Sequence, residues 1–362
     1  MLYIEKYPEF VPPLIIFLLA FFLGVQGTLL TRFLSLRLGV LDQPGGRKVH
    51  DAPVPCLGGL AIVFAVTISL LLSYGRSPEL LVILAVGLGI ALVGLLDDVA
   101  GVPAWLKLAV LGVGCVVLMM NGIGLNRTPF PVVNAVLTFL WIAGVSSAFN
   151  AIDNSDGLAG SICAISAAAL FLMGWSTWQI SFSFLAMALA GSVLGFLHFN
   201  MKPARVYMGD TGSFFLGYIL AVLVIFGDWS ESGVRSFLAG CFVLAVPVYD
   251  LGLTTILRAR HGVISGLLSA IAYSDRDHLS HRLLKMGLSH GQMIAALCLL
   301  SFGCSCVALV VAKASGPVAA AVVGLAVAGL AWLGLYLDRQ TSVPELWSTP
   351  PSKLLKKERT PA

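Results

Sequence analysis

Residues Leu80 to Leu96 read LLVILAVGLGIALVGLL, with no charged side chain among them, and Asp97-Asp98 follow at once. A helix of about 20 apolar residues crosses the roughly 30 Å hydrocarbon core of a bilayer, and this run is nearly that long. Val132–Phe149 is a second such run. Outward from these two, apolar stretches recur along the whole chain, falling within 11–30, 57–74, 79–96, 104–120, 132–149, 158–175, 180–198, 213–227, 236–257, 291–312 and 316–336. The chain has 362 residues, 58% hydrophobic and 11% charged. A soluble domain carries about 25% charged residues, so this chain has too few to cover a globular surface. The expectation is an all-α polytopic membrane protein of about eleven transmembrane helices. A single transmembrane domain is expected over residues 1–338, with a cytoplasmic tail over 339–362.

Charge orients the chain. With the N-terminus outside, 17 of the 22 lysines and arginines fall on one set of loops and helix ends. The positive-inside rule puts that set in the cytoplasm. Carboxylates, which contribute little to that rule, crowd the same side: Asp42, Asp51, Asp97, Asp98, Asp153, Asp156, Asp210, Asp275 and Asp277. A polar working face at the cytoplasmic surface accounts for both asymmetries. No basic tract with interleaved aromatics points to nucleic acid. The seven cysteines lack metal-type pairing and lie mostly in apolar runs, as small buried residues do. Glu5 and Glu9, with no basic stretch before the first apolar run, argue against a cleaved signal peptide.

Five polar segments carry candidate chemistry. Gly94-Leu-Leu-Asp97-Asp98 sets two acids at the end of an apolar run, about 100° apart on a helix, so that one can face a site while the other faces a neighbour. Phe149-Asn150-Ala-Ile-Asp153-Asn154-Ser155-Asp156-Gly157 spaces oxygen donors three residues apart, on one face if helical, and such donors suit Mg²⁺. Tyr207-Met-Gly209-Asp210-Thr211-Gly212-Ser213 opens a helix with glycines that permit close approach of a phosphate or metal. Gly45-Gly46-Arg47-Lys48-Val49-His50 offers cations for a diphosphate. The last loop holds Arg258 and Arg260, then Asp275-Arg276-Asp277-His278-Leu279-Ser280-His281-Arg282. If helical, His278 and His281 or Arg282 share a face there. With no third ligand to suggest zinc, phosphate or nucleotide contact is preferred. A phosphate-handling Mg²⁺ site needs this mixture of oxygen ligands and cations.

From Asp42 to Arg282 the chain resembles the polyprenyl-phosphate N-acetylhexosamine-1-phosphate transferase family. The RKVH and PVPCLGG loop, GLLDDV, FNAIDNSDGLAG, FNMKPARVYMGDTGS and DRDHLSHRLL stand in family order. The resemblance implies a fold of ten or eleven helices, a UDP-amino sugar and a polyprenyl phosphate as substrates, Mg²⁺ (with Mn²⁺ as alternative), and release of UMP. It places Asp97, Asp98, Asp153 and Asp156 on catalytic carboxylates, and Asn150 and Asp210 on metal ligands. It places Arg47, Lys48, His50, Lys107, Arg258, Arg260, His278 and His281 on phosphate- and nucleotide-binding positions. Three positions depart from the family pattern: Asn154 stands in place of the first glycine of DGxDG, Ser280 in place of the middle histidine of HxHH, and Cys56 where a basic residue is common. These bear on substrate identity more than on reaction class.

The triple histidine of the muramoyl-pentapeptide branch is missing, which favours a UDP-HexNAc substrate and a bacterial cell membrane, with undecaprenyl phosphate as acceptor and a homodimer allowed for. The alternatives are a phospho-MurNAc-pentapeptide transferase and, from another class, a proton- or ion-coupled transporter. Transporter acids lie near the bilayer midplane. Here only Asp250 lies deep within a span.

Overall fold

The computed structural model describes residues 12–43, 52–74, 77–126, 128–263 and 277–341. Among them run α1 (Pro13–Leu38), a short antiparallel ribbon of β1 (Leu41–Asp42) and β2 (Val54–Pro55), and α2 (Gly58–Tyr74). There follow α3 (Pro78–Ala100), α4 (Ala104–Met120), α5 (Pro131–Ile152), α6 (Leu158–Ser176), α7 (Ile180–Asn200) and α8 (Gly209–Phe226). The chain continues through α9 (Gly233–Val243), α10 (Ala245–Arg260), α11 (Leu279–Lys285), α12 (His290–Lys313) and α13 (Gly316–Gln340). Proline in the first turn opens α1, α3, α5 and α13, where its missing N–H costs nothing. A reciprocal Ser289–Gln292 cap opens α12.

Each of the eleven expected segments coincides with a helix, or in one case with two. Among the described residues, eight helices are long and apolar enough to cross a membrane, and α2 and α4 are apolar helices of 17 residues. The expected span over 236–257 is corrected: it is α9 and α10, bent by 77° at Leu244. Pro247 explains the break, because it has no N–H to offer the carbonyl four residues back and its ring crowds that carbonyl. The helix α13 runs past the expected domain boundary at 338, and residues 342–362 lie outside the described residues.

The most enclosed helices are α7 and α8, with 83% of their apolar windows buried, against 11% for α13. The outer helices instead expose large apolar side chains such as Phe22, Leu325 and Trp332. Lipid, not water, is the solvent that suits such a surface. Inside, polar side chains bond backbone carbonyls of neighbouring helices, as a water-free interior favours. The Tyr218 hydroxyl of α8 donates to Ile83 O of α3 at 2.9 Å, and Trp141 Nε1 of α5 donates to Ala221 O at 3.1 Å. Gly94 lets the end of α3 lie on the start of α8: a Cβ there would fall 2.7 Å from Asp210 O. That approach brings two acidic motifs together at one end of the bundle.

Candidate active site

The helix α3 stops at Gly101, whose φ of 72° suits glycine and whose N–H bonds Asp97 O at 2.9 Å. The stop leaves Asp97 and Asp98 at the rim. Asp97 Oδ1 accepts the Val102 N–H at 2.5 Å, and Oδ2 accepts from Lys107 Nζ at 2.5 Å. Lys107, in the first turn of α4, also donates to Asp210 Oδ2 and lies 5.2 Å from the centre of the Phe214 ring. One ammonium thus joins carboxylates of two helices.

Asp98 serves a different purpose. It accepts the N–H groups of Asp210 (2.7 Å) and Thr211 (3.0 Å) and the Thr211 hydroxyl (2.6 Å). These are donors that the start of a helix leaves without partners. Gly209 adopts φ 66°, and a Cβ there would meet Asp98 Oδ2 at 2.5 Å, so only glycine fits.

Asn150 Nδ2 donates to Asp210 Oδ1 and to Ser213 Oγ, both at 2.9 Å. This leaves the amide carbonyl oxygen of Asn150 without a donor among the described residues. With the Asp210 carboxylate beside it, the pair offers the hard oxygen donors that Mg²⁺ takes alongside substrate phosphates. No ready-made cluster of three metal-binding His, Cys, Asp or Glu occurs among the described residues. The donor set therefore fits a cation that also draws on substrate, not one caged by protein alone.

The expectation that Asn150, Asp153 and Asp156 share one helical face is corrected. The helix α5 ends at Ile152, Asp153 is its C-cap, and Gly157 turns the chain with φ 77°. Asp156 Oδ2 instead accepts the Ala204 N–H at 3.0 Å, and Asn200 Oδ1 accepts the Gly157 N–H at 3.0 Å. Asp153 is half-buried, and its carboxyl makes no hydrogen bond among the described residues. Loss of water around it, then the like charges of Asp210, Asp98 and Asp156, push it well above the ordinary carboxylate range.

The expected nucleotide loop is only partly assembled as anticipated. His278 is the N-cap of α11 and does not lie on its face; its Nδ1 meets Asp250 Oδ2 at 2.8 Å, while Leu279 N donates to Asp250 Oδ1 at 2.6 Å. Burial alone would lower the His278 pKa, but Asp250, aided by Asp277, outweighs this and raises it. Arg258 is buried and grips Asp277 with two bonds, at 2.8 and 2.5 Å. Breaking such a pair costs about 3–5 kcal/mol, so Arg258 is committed to holding α10 to the start of α11. Arg260 is exposed and pairs with Asp338 of α13 at 3.2 Å. His281 lies on α11, which Ser280 ties to the acidic loop through Asn154. Arg47, Lys48 and His50 lie outside the described residues. Sequence reasoning did not single out Thr211, Ser213 or Asn200 as partners, although each stands beside a motif acid or helix end.

Residues 80–228, from α3 through α8, match the profile of Glycosyl transferase family 4. The chain is 32% identical over 299 residues to a probable undecaprenyl-phosphate N-acetylglucosaminyl 1-phosphate transferase of Bacillus subtilis, covering 80% of this chain and 82% of that one. The chain belongs to glycosyl transferase family 4. A second relative, a decaprenyl-phosphate N-acetylglucosaminephosphotransferase of Mycobacterium tuberculosis, is 30% identical over 303 residues, covering 73% of each chain. A phospho-N-acetylmuramoyl-pentapeptide-transferase of Clostridium perfringens is 31% identical over 220 residues, 53% of this chain and 67% of that one. The matched profile contains the whole Asp97–Lys107–Asn150–Asp210 cluster and stops short of α11.

Proposed function

We propose that this family 4 chain transfers HexNAc-1-phosphate from a UDP-N-acetylhexosamine to a polyprenyl phosphate, undecaprenyl phosphate, in a bacterial cell membrane. The products are polyprenyl-diphosphate-HexNAc and UMP, and the step begins a cell-surface polysaccharide. The carrying observation is Lys107 held between Asp97 and Asp210, with Asn150 on the other oxygen of Asp210. The acids meet at helix ends, and Asp250, the one deep acid, is bonded to His278 and Leu279 N. Neither feature suits an ion pathway through the bilayer midplane.

Asp210 and the Asn150 carbonyl oxygen are the residues that would hold Mg²⁺. Bound there, the metal supplies charge neutralisation for the substrate diphosphate. Lys107 has three N–H donors, two of them on carboxylates, and the third is left for a phosphate oxygen. Asp98 fixes the start of α8 and so the place of Asp210. A lipid phosphate oxygen bonds to the sugar-linked phosphorus while the bond from that phosphorus to the bridging oxygen breaks, its electron pair leaving on UMP. Asp153, without a hydrogen-bond partner among the described residues and raised in pKa, is suited to take a proton from the lipid phosphate. Both oxygens of Asp97 are engaged, which favours direct transfer over a phospho-aspartate route through it. The 17 basic residues on one side support a cytoplasmic position for this site and for the C-terminus.

Purified protein incubated with undecaprenyl phosphate, Mg²⁺ and a panel of radiolabelled UDP-sugars tests the reading. Label should pass into lipid extract with one UMP per lipid product for a UDP-HexNAc. Release of UMP without labelled lipid, or no transfer from any UDP-sugar, overturns it.

A further inference from the structure

Ser280 and Asn154 meet between α11 and the acidic loop, the serine hydroxyl donating to Asn154 Oδ1 at 2.6 Å. The same carboxamide is anchored elsewhere. Its Nδ2 donates to Ala151 O at 2.8 Å, and Ser155 Oγ donates to its Oδ1 at 3.2 Å. Asn154 is thereby fixed against the last turn of α5, through the carbonyl of Ala151, the residue after Asn150. Ser280 is buried in the first turn of α11. A side-chain bond therefore ties the helix that carries His281 and follows His278 to the loop that carries Asp153 and Asp156.

Asn154 and Ser280 are also two of the three positions at which the family resemblance implies another residue, glycine at 154 and histidine at 280. Glycine with histidine has the same number of side-chain heavy atoms as asparagine with serine. Protein interiors are close-packed, so an imidazole at 280 would need the space that Asn154 fills. Glycine at 154 would leave a void and take the acceptor from a buried hydroxyl, which is costly. Each side chain suits the other and not the other's alternative.

We infer that Asn154 and Ser280 are a matched positioning pair that seats α11 against the acidic cluster and so sets how tightly the UDP-sugar is held. The contact between them is a neutral hydrogen bond, with no titratable ring in it. This inference rests on the proposed transferase activity, and its test separates the two.

The full chain is purified as Asn154→Gly, Ser280→His and the double variant, and kcat, KM for the UDP-sugar and the thermal midpoint are measured. Residues in contact couple, so each single exchange should raise KM roughly tenfold and the double should return to within about threefold of the unaltered enzyme. Ser280→Ala removes only the bond and should raise KM about fivefold with little change in kcat, the sign of lost uniform binding, and Ser280→Thr should restore it. Additive effects in the double variant overturn the pairing, as does a fall in kcat at unchanged KM for Ser280→Ala. If the unaltered enzyme transfers nothing, the transferase reading fails; the thermal midpoints then decide the pair, coupled shifts supporting the contact and additive shifts overturning it.

Discussion

Asp98 holds Thr211 twice through a single oxygen, Oδ2, which accepts both the backbone N–H and the hydroxyl, while its Oδ1 accepts the N–H of Asp210. The helix α8 has no side-chain cap of its own, since Met208 precedes it. Three donors converge on one carboxylate, so both oxygens must accept. Asparagine, normally a good cap, cannot serve here, because its NH₂ would face a donor. Asp98→Asn should lower stability by about 1–3 kcal/mol, the cost of leaving a buried donor unpaired. It should also slow transfer by displacing Asp210. Thr211→Val keeps the backbone bonds and should cost about 1 kcal/mol. Unfolding curves in detergent measure both, and an unchanged midpoint for Asp98→Asn would remove the cap argument.

Lys107 supplies the cation between Asp97 and Asp210. Lys107→Gln leaves two carboxylates facing one another and takes a donor from the phosphate. The loss in kcat should be about 10²–10³-fold, the scale of removing one preorganised charge-stabilising donor. Lys107→Arg should not rescue it, because a planar fork does not reproduce a compact ammonium with three donors. Full activity in the arginine variant would show that charge alone suffices.

Metal dependence is the expected outcome if Asp210 and Asn150 hold Mg²⁺ as proposed. EDTA should abolish transfer, and added Mg²⁺ or Mn²⁺ should restore it. Asp210→Ala, which removes a ligand and a partner of Lys107, should lose about 10²-fold or more, again on the scale of electrostatic stabilisation. Undiminished turnover by metal-stripped enzyme would rule out the assignment.

Much of this architecture is legible in the sequence, because a membrane span needs only a long apolar run and the eleven runs are plain. The bend at Leu244 was carried by Pro247, but the continuous apolar stretch around it reads as one span. Partners are another matter. Lys107 and Asp210 are 103 residues apart, and Arg258 and Asp277 are 19 apart across a loop. Helical periodicity relates residues three or four apart and says nothing about such pairs. The family resemblance sets Arg258 among phosphate-binding positions, and its pairing with Asp277 is not readable from that pattern. Periodicity set Asn150, Asp153 and Asp156 on one face, although α5 stops before the second of them.

The orientation of the chain is open to labelling. Seventeen basic residues on one side predict an external N-terminus and a cytoplasmic C-terminus. Lys6→Cys and Lys353→Cys are introduced separately after the exposed Cys306 is replaced by serine. In intact cells a membrane-impermeant thiol reagent should label position 6 and spare position 353 until the cells are opened. The reverse pattern would invert the topology and move the acids to the outside.

Asp153 links pH to both rate and stability. Its folded pKa lies well above the ordinary carboxylate value, through burial first and then through Asp210, Asp98 and Asp156. The folded state therefore holds a proton that the unfolded chain has already released. Stability contributed by this group falls as pH rises from the ordinary carboxylate value to the raised one, and stays low above it. Transfer runs the other way if Asp153 accepts a proton, because the carboxylate must be free. The acid limb of the kcat profile should then lie above the ordinary carboxylate range, and a divalent cation at Asp210 should lower it by offsetting one like charge. Asp153→Asn removes the charge and its cost together. It should melt higher than the unaltered enzyme near neutral pH, with the gain vanishing in acid. Its transfer should be slower by about 10²-fold or more, the usual contribution of a general base. Melting curves across pH, set beside the rate profile, test both halves. A variant that is less stable at neutral pH, or one that keeps the same acid limb, would remove Asp153 from the proton transfer.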